Sequence, residues 1–436
     1  MKDFLQNTAH TVLTNFVILV TGIIPSVITA RFLGPEGKGI YSLVLLFVYF
    51  LIAFTNFGFC SAVNYYVARK DFHLSEVFGN TFVISLVISF VSMATGAIFI
   101  FYFSRQVIPG IMPFYLYLSL LVIPFYSIFI NLKHILVGLM RIKEFNFITL
   151  VKSIFDFVFL FLFLFLFRLG ITGAIYSSIV SAFAVSLVVI IWLFFIAGKM
   201  KVNLERAFIN KTFGYGLKSY INSMITILSD KVDIFLVNFF LDPLAVGYYA
   251  SAAAISGRLW MVSNAASMVL FPNIAGEKDE AKRSRITPIV CRTAILITAI
   301  ISLIFYLVSN WLIVFLYSPV FTPAIKPFQI LLLGVVSLVA WQIISYDLSG
   351  RGRPELNTYI YGTSVLLNIV LNIYFIPRIG IEGAAWSSVF SYTAASLGGL
   401  YVYCRITNNP WVKVIFPQIS DLQLYMKIIN NFRGQK

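Results

Sequence analysis

Three charged side chains, Asp230, Lys231 and Asp233, fall within four positions of one long apolar stretch. An ionisable group near the middle of a bilayer costs at least about 2.5 kcal/mol, so each must find a partner or a water-filled path. On a helix, Asp230 and Asp233 are three apart and share a face, while Lys231 points about 100° away toward another helix. Arg258 stands mid-way along the next apolar stretch with no carboxylate within one turn of it. It therefore needs Asp230, Asp233 or a water-filled cavity. Lys133 sits where its long stem can snorkel to an interface. Lys152 and Asp156, four apart, can either neutralise each other or line a cavity. Arg31 and Arg69 stand at the ends of apolar stretches, where headgroup anchoring is the plain reading. Charge recognition is the chemistry these nine residues can do.

The surroundings of those charges are a solvent question. Of 436 residues, 60% are hydrophobic and 17% aromatic, and only 11% are charged. One soluble core could not bury that much apolar surface. A bilayer takes about twenty apolar residues per helix, and stretches of that length fall at 13–30, 40–57, 80–103, 113–137, 147–167, 172–196, 215–241, 247–272, 288–317, 327–348, 358–377 and 382–403. Strands of a barrel would alternate polar and apolar, whereas Phe157 to Phe167 is a block of Phe, Leu and Val. The expectation is an all-α membrane protein of about twelve spanning helices.

A formal charge of +15 would point to nucleic acid in a soluble domain. Here Lys199, Lys201, Arg206, Lys211, Lys278, Lys282, Arg283 and Arg285 all fall in loops on one side of the expected spans. That bias places both termini in the cytoplasm and leaves no need for a nucleic-acid partner. The start, Met1-Lys2-Asp3-Phe4, lacks the pattern of a cleaved leader, so the first span is expected to be retained. Cys60, Cys291 and Cys404 read as reduced structural thiols. After Pro410, the residues Ile419, Leu422, Leu424, Tyr425, Ile428 and Ile429 with Lys413 and Lys427 form a weakly amphipathic pattern, expected as an interfacial helix.

The chain also repeats itself. Phe32-Leu33-Gly34-Pro35-Glu36-Gly37-Lys38-Gly39-Ile40-Tyr41 matches Phe240-Leu241-Asp242-Pro243-Leu244-Ala245-Val246-Gly247-Tyr248-Tyr249 as F-L-x-P-x-x-x-G-x-Y. Arg168 to Ala174 with Ser177, Ser178 and Ser181 matches Arg378 to Ala384 with Ser387, Ser388 and Ser391, and Gly138, Arg141 and Asn146 echo Gly350, Arg353 and Asn357. Duplication with an even number of helices per half makes the halves parallel. The expected organisation is a six-helix lobe at 1–196, a cytoplasmic loop at 197–214, a second lobe at 215–404 and a tail at 405–436. A central cavity between the lobes would hold the substrate. Pro and Gly of the first motif are expected to serve tight turns between helices.

Four stretches carry a family resemblance: Arg31 to Gly39; Gly58 to Arg69; Asp233-Ile234-Phe235 through Gly247-Tyr248-Tyr249; and Gly350 to Pro354 through Ile376 to Ala385. The chain resembles the polysaccharide transporter, or Wzx-type, branch of the multidrug/oligosaccharidyl-lipid/polysaccharide (MOP) flippase superfamily. That resemblance implies a MATE-like bundle of two lobes, alternating access, and movement of an undecaprenyl-diphosphate-linked oligosaccharide from the cytoplasmic to the outer leaflet. The cargo would be an O-antigen, capsule or exopolysaccharide precursor, and the site a bacterial inner membrane with other polysaccharide assembly proteins as partners. The Arg258 fork suits a diphosphate headgroup. Substrate and a coupling H+ or Na+ would then compete for one network of Arg258, Asp230 and Asp233. No further cofactor is expected.

Two rival functions predict different sequences. A membrane-embedded polymerase or glycosyltransferase should carry a catalytic loop or soluble domain, and His10, His73 and His134 lie too far apart in sequence for ligand spacing. Neither a catalytic set nor a P-loop is present. A cation-coupled multidrug antiporter of the same superfamily should have a mostly apolar, acidic cavity, whereas Arg258, Lys231, Lys133 and Lys152 slightly outweigh Asp156, Asp230 and Asp233. A transporter rather than an enzyme is the expectation.

Overall fold

Apolar segments in a bilayer must satisfy every backbone N–H and C=O internally, which selects helices. The computed structural model describes residues 2–277, 279–418 and 421, and only the backbone of 2–21, 207, 218, 219, 222, 268, 269 and 272. Among the described residues the regular structure is helical throughout. The order is α1 (Lys2–Thr55), α2 (Phe59–Arg69), α3 (Leu74–Val107), α4 (Pro113–Ser119), α5 (Val122–Gly138), α6 (Ile142–Phe161), α7 (Gly170–Ala197), α8 (Arg206–Phe240), α9 (Pro243–Ser256), α10 (Trp260–Gly276), α11 (Glu280–Leu307), α12 (Ser309–Tyr317), α13 (Ile325–Gly350), α14 (Pro354–Ile379), α15 (Ile381–Thr407) and α16 (Trp411–Ile415). The expected interfacial helix beyond α16 lies outside the described residues, apart from Asp421 and the stretch up to 418.

Eight helical segments among the described residues are long and apolar enough to cross a membrane. All twelve expected stretches nevertheless fall on helices. The stretches at 13–30 and 40–57 share α1, which turns at Gly34 with φ 67 and ψ −178 just before Pro35. The stretch at 247–272 is divided between α9 and α10 by the single 3-10 turn Gly257–Leu259. Those at 215–241 and 382–403 lie on α8, which includes Lys218, Asp230, Lys231 and Asp233, and on α15, rich in Ser and Gly.

The chain divides into two compact units, residues 1–251 with 316–321, and 252–315 with 322–436. In the first, Phe59, Phe78, Leu132, Leu136, Val189 and Phe208 lie at the centre of a core drawn from α2, α3, α5, α7 and α8. In the second, Ile274, Cys291, Val339, Ile343, Leu348 and Tyr403 do the same for α10, α11, α13 and α15. Side chains left uncovered by protein include Phe90, Phe101 and Phe195, at 71%, 75% and 83% exposure, as expected of faces whose solvent is lipid. The Phe157 to Phe167 block ends in a π-helical turn, Leu162–Leu166, and leaves Phe157, Phe161, Phe165 and Phe167 uncovered.

The repeats correspond element by element. Gly138 and Gly350 end α5 and α13, and Arg141 and Arg353 immediately precede α6 and α14. Gly170 and Gly380, both at positive φ, introduce α7 and α15. The first motif does more than turn the chain. A Cβ on Gly39 would stand 1.7 Å from the Pro243 carbonyl oxygen, and one on Gly247 would stand 1.8 Å from the Pro35 carbonyl oxygen. Equivalent residues thus contact each other reciprocally, as around a local two-fold axis, and only glycine permits that approach. The expectation that this Gly serves a turn gives way to a helix crossing.

Candidate functional site

Eight of the nine expected site residues lie on helices of the first unit, and Arg258 lies in the second. Asp233 on α8 is 5% exposed and accepts a hydrogen bond from the Tyr249 hydroxyl on α9 at 2.9 Å. Tyr249 is the last residue of the second motif copy, so the motif positions a hydroxyl on this buried carboxylate. Asp230 is half-buried on the same helix and Lys231 is exposed, consistent with the two projecting from different faces.

The first motif copy does something similar less directly. Tyr41 pairs with Ser178 at 2.8 Å, and Ser181, one turn along α7, donates to Asp156 at 2.6 Å. Lys152 closes on both oxygens of Asp156 at 2.5 and 2.6 Å. The Lys152/Asp156 pair is therefore an ion pair tied to the repeat's own serine, and it leaves the carboxylate few free lone pairs. Lys133 on α5 is half-buried over the rings of Phe129 and Phe145, 4.9 and 4.8 Å from their centroids. A cation held over two ring faces is stabilised by their quadrupoles.

The remaining arginines differ in setting. Arg31 is exposed and donates from Nε to the Leu316 carbonyl at 2.9 Å. Arg69, also exposed, donates to Tyr65 at 2.8 Å and faces Asp71 at 3.4 Å, on the edge of a cluster in which Tyr65 stacks on Tyr215. Arg258 is half-buried in the 3-10 turn of the second unit. Asn131 on α5 is fully buried. It receives hydrogen bonds from Asn56 and Cys60 at 2.9 Å each and donates to Ser85 at 3.0 Å.

Buried charges that went unnoticed in the sequence include Lys38, Arg292, Asp347 and Asp421. Lys38, inside the first motif, is 3% exposed; its Nζ donates to the Ser26 carbonyl at 3.1 Å and hydroxyl at 2.8 Å, and lies 4.1 Å from the Tyr317 ring centroid. Arg292 on α11 pairs with Asp421 and donates to the Lys413 carbonyl at 2.8 Å. Asp347 on α13, wholly buried, accepts from Thr287 and, at 2.5 Å, from Arg351. Lys38 follows the Gly34 turn and Asp347 lies near the end of α13, where a charge reads as solvated. All three cysteines are free, and among the described residues no three His, Cys, Asp or Glu side chains gather as a metal ion would require.

Comparison with known proteins decides the family. A family model described as polysaccharide biosynthesis protein matches residues 28–326, which takes in both copies of the crossing motif. The chain belongs to the polysaccharide biosynthesis protein family. Among its curated relatives, an uncharacterized membrane protein of Methanocaldococcus jannaschii is 26% identical over 51% of this chain and 46% of its own length. A probable flippase of Haloferax volcanii, AglR, is 28% identical over 38% of this chain and 36% of its own. The chain thus spans less than half the length of the curated relatives it matches.

Solved structures confirm that this family member has the MOP fold. An inward-facing MATE family multidrug resistance transporter of the MOP superfamily superposes with a TM-score of 0.74 at 16% identity, over 89% of this chain and 94% of that one. The lipid II flippase MurJ, in an inward closed conformation, gives 0.70 at 19% identity, over 89% and 86%. The protein is accordingly a multi-pass membrane protein of the fold that its family resemblance implied.

Proposed function

We propose that this chain is a flippase that carries a lipid-linked oligosaccharide across a membrane by alternating access between its two halves. The observation that carries the reading is the family match over residues 28–326, reinforced by relatives that are themselves probable flippases. The finer reading is that the cargo is a polyisoprenyl-diphosphate-linked repeat unit destined for a surface polysaccharide. It moves from the cytoplasmic to the outer leaflet of a cytoplasmic membrane that has both chain termini on its inner side.

In this reading Arg258 and Lys231 are the cations that receive the diphosphate. Asp230 and Asp233 are the carboxylates through which H+ or Na+ would be coupled. The Asp233–Tyr249 bond joins one of them to the helix crossing that the repeats build. A guanidinium fork matches two phosphate oxygens, which an ammonium does not.

The test is surface-polysaccharide export in cells that depend on this chain, with membrane levels of protein controlled. Arg258→Ala should abolish export and Arg258→Lys restore it only in part. Full export in both variants would remove Arg258 from the substrate path. Drug resistance without polysaccharide export would instead support a multidrug antiporter.

A further inference from the structure

In the second unit, a cavity of 260 Å³ opens where α11 and α14 begin and α13 and α15 end. It is lined by Glu280, Arg283, Arg351, Arg353 and Ile406. Three guanidinium groups thus face one carboxylate.

The deepest of them is only partly used. Arg351 has a side chain 5% exposed; its Nε donates to Asp347 and its Nη1 to Glu280, yet its buried Nη2 has no hydrogen-bond partner among the described residues. Arg283 reaches Glu280 through Nη1 at 3.8 Å, and its buried Nε is likewise unmet. Buried N–H groups nearly always find an acceptor, so two unmet guanidinium donors at one cavity mark the place of an absent one.

The charge balance indicates which acceptor. Asp347 pairs with Arg351 from beneath, so these two offset each other and the charges left facing the cavity are Arg283, Arg353 and Glu280. A phosphate monoester carries about −1.5 to −2 and several acceptor oxygens, enough to meet Arg351 Nη2, Arg283 Nε and the exposed Arg353 together. Planar forks also match phosphate oxygens in pairs. The cavity exceeds the roughly 30 Å³ share of one water many times over.

We infer that this cavity binds a phosphate or diphosphate group, at a site separate from the charges on α8 and independent of the flippase reading. Four membrane-length or near-membrane-length helices start or stop around it, which puts it at headgroup level. Its ligand chemistry is therefore available both from a lipid headgroup and from a soluble phosphate.

The experiment uses the purified full chain in uncharged detergent, with inorganic pyrophosphate as probe and chloride at matched ionic strength as control. Pyrophosphate should raise the unfolding temperature saturably. Arg283→Gln with Arg353→Gln should weaken that response roughly tenfold or more in midpoint concentration, since each loses charge-assisted bonds. Arg353 is exposed and unburdened by Arg351's structural contacts, so the single Arg353→Gln variant keeps the test available if the double variant folds poorly. An unsaturable response in the native chain, or an unchanged midpoint in folded variants, overturns the inference. Repeating the titration in nanodiscs assigns the source: anionic phospholipid that suppresses the pyrophosphate response identifies a headgroup site, and a response that persists identifies a soluble ligand.

Discussion

Asp233 and Lys38 show how little of a buried charge's role lies in its identity. Asp233 was legible as an intramembrane carboxylate, but its partner came from a motif tyrosine sixteen positions away, which only the α8–α9 fold brings back. Lys38 was invisible because it stands beside a helix turn, where lysine ordinarily reaches water. Its actual partners are Ser26, 12 positions back, and Tyr317, far along the chain. For Lys152 and Asp156 the i,i+4 spacing made the ion pair one of two legible readings, and the bond from Ser181 was not visible. Two predictions belong to this scale. Tyr249→Phe should lower stability in detergent unfolding by about 1.5–3 kcal/mol, the usual worth of a hydrogen bond to a charged group. Adding Asp233→Asn should cost less than the sum of the single changes. Lys38→Ala and Tyr317→Ala should be coupled by about 0.5–2 kcal/mol in a double-mutant cycle, the range for a cation over an aromatic face. Additivity would mean that the ring does not hold the ammonium.

Among the helices, the repeated F-L-x-P-x-x-x-G-x-Y segments were visible as a pattern, but their meeting was not. Pattern matching reports that two segments are alike; whether they touch depends on where the intervening helices place them. In the fold, Gly39 lies against Pro243 and Gly247 against Pro35, so each motif is the other's packing surface. The two copies also turn differently: Gly34 supplies a positive φ, while Asp242 at the matching place accepts the Ala245 N–H at 2.7 Å at the start of α9. Gly39→Leu or Gly247→Leu should therefore abolish accumulation of folded protein, read by fluorescence-detected size exclusion. Gly398→Ala, whose new methyl would meet only Ile360 at 3.4 Å, should be tolerated or mildly stabilising. Equal tolerance at Gly39 and Gly398 would mean that the crossing is loose.

Over the whole molecule, composition made the membrane class legible, the internal repeats a duplicated scaffold, and the family resemblance the MOP fold. The number of spans was harder to read from apolarity alone. Two stretches merge into α1, one is broken by a 3-10 turn, and α8 and α15 carry the polar groups that a hydropathy count penalises. The distribution of basic loops adds a prediction of orientation: single cysteines introduced at positions 203 and 279 should react with a membrane-impermeant thiol reagent from the cytoplasmic side, and one at 110 from the outside. Labelling of all three from one side would contradict the parallel-lobe topology. The most direct measurement of function is made in proteoliposomes carrying a polyisoprenyl-diphosphate-linked oligosaccharide, with a lectin or glycosidase added outside. The account predicts that the purified chain brings the inner-leaflet sugar within reach of the reagent faster than protein-free vesicles do, and that Arg258→Ala removes the gain. Sugar that stays protected in vesicles containing folded protein would contradict it.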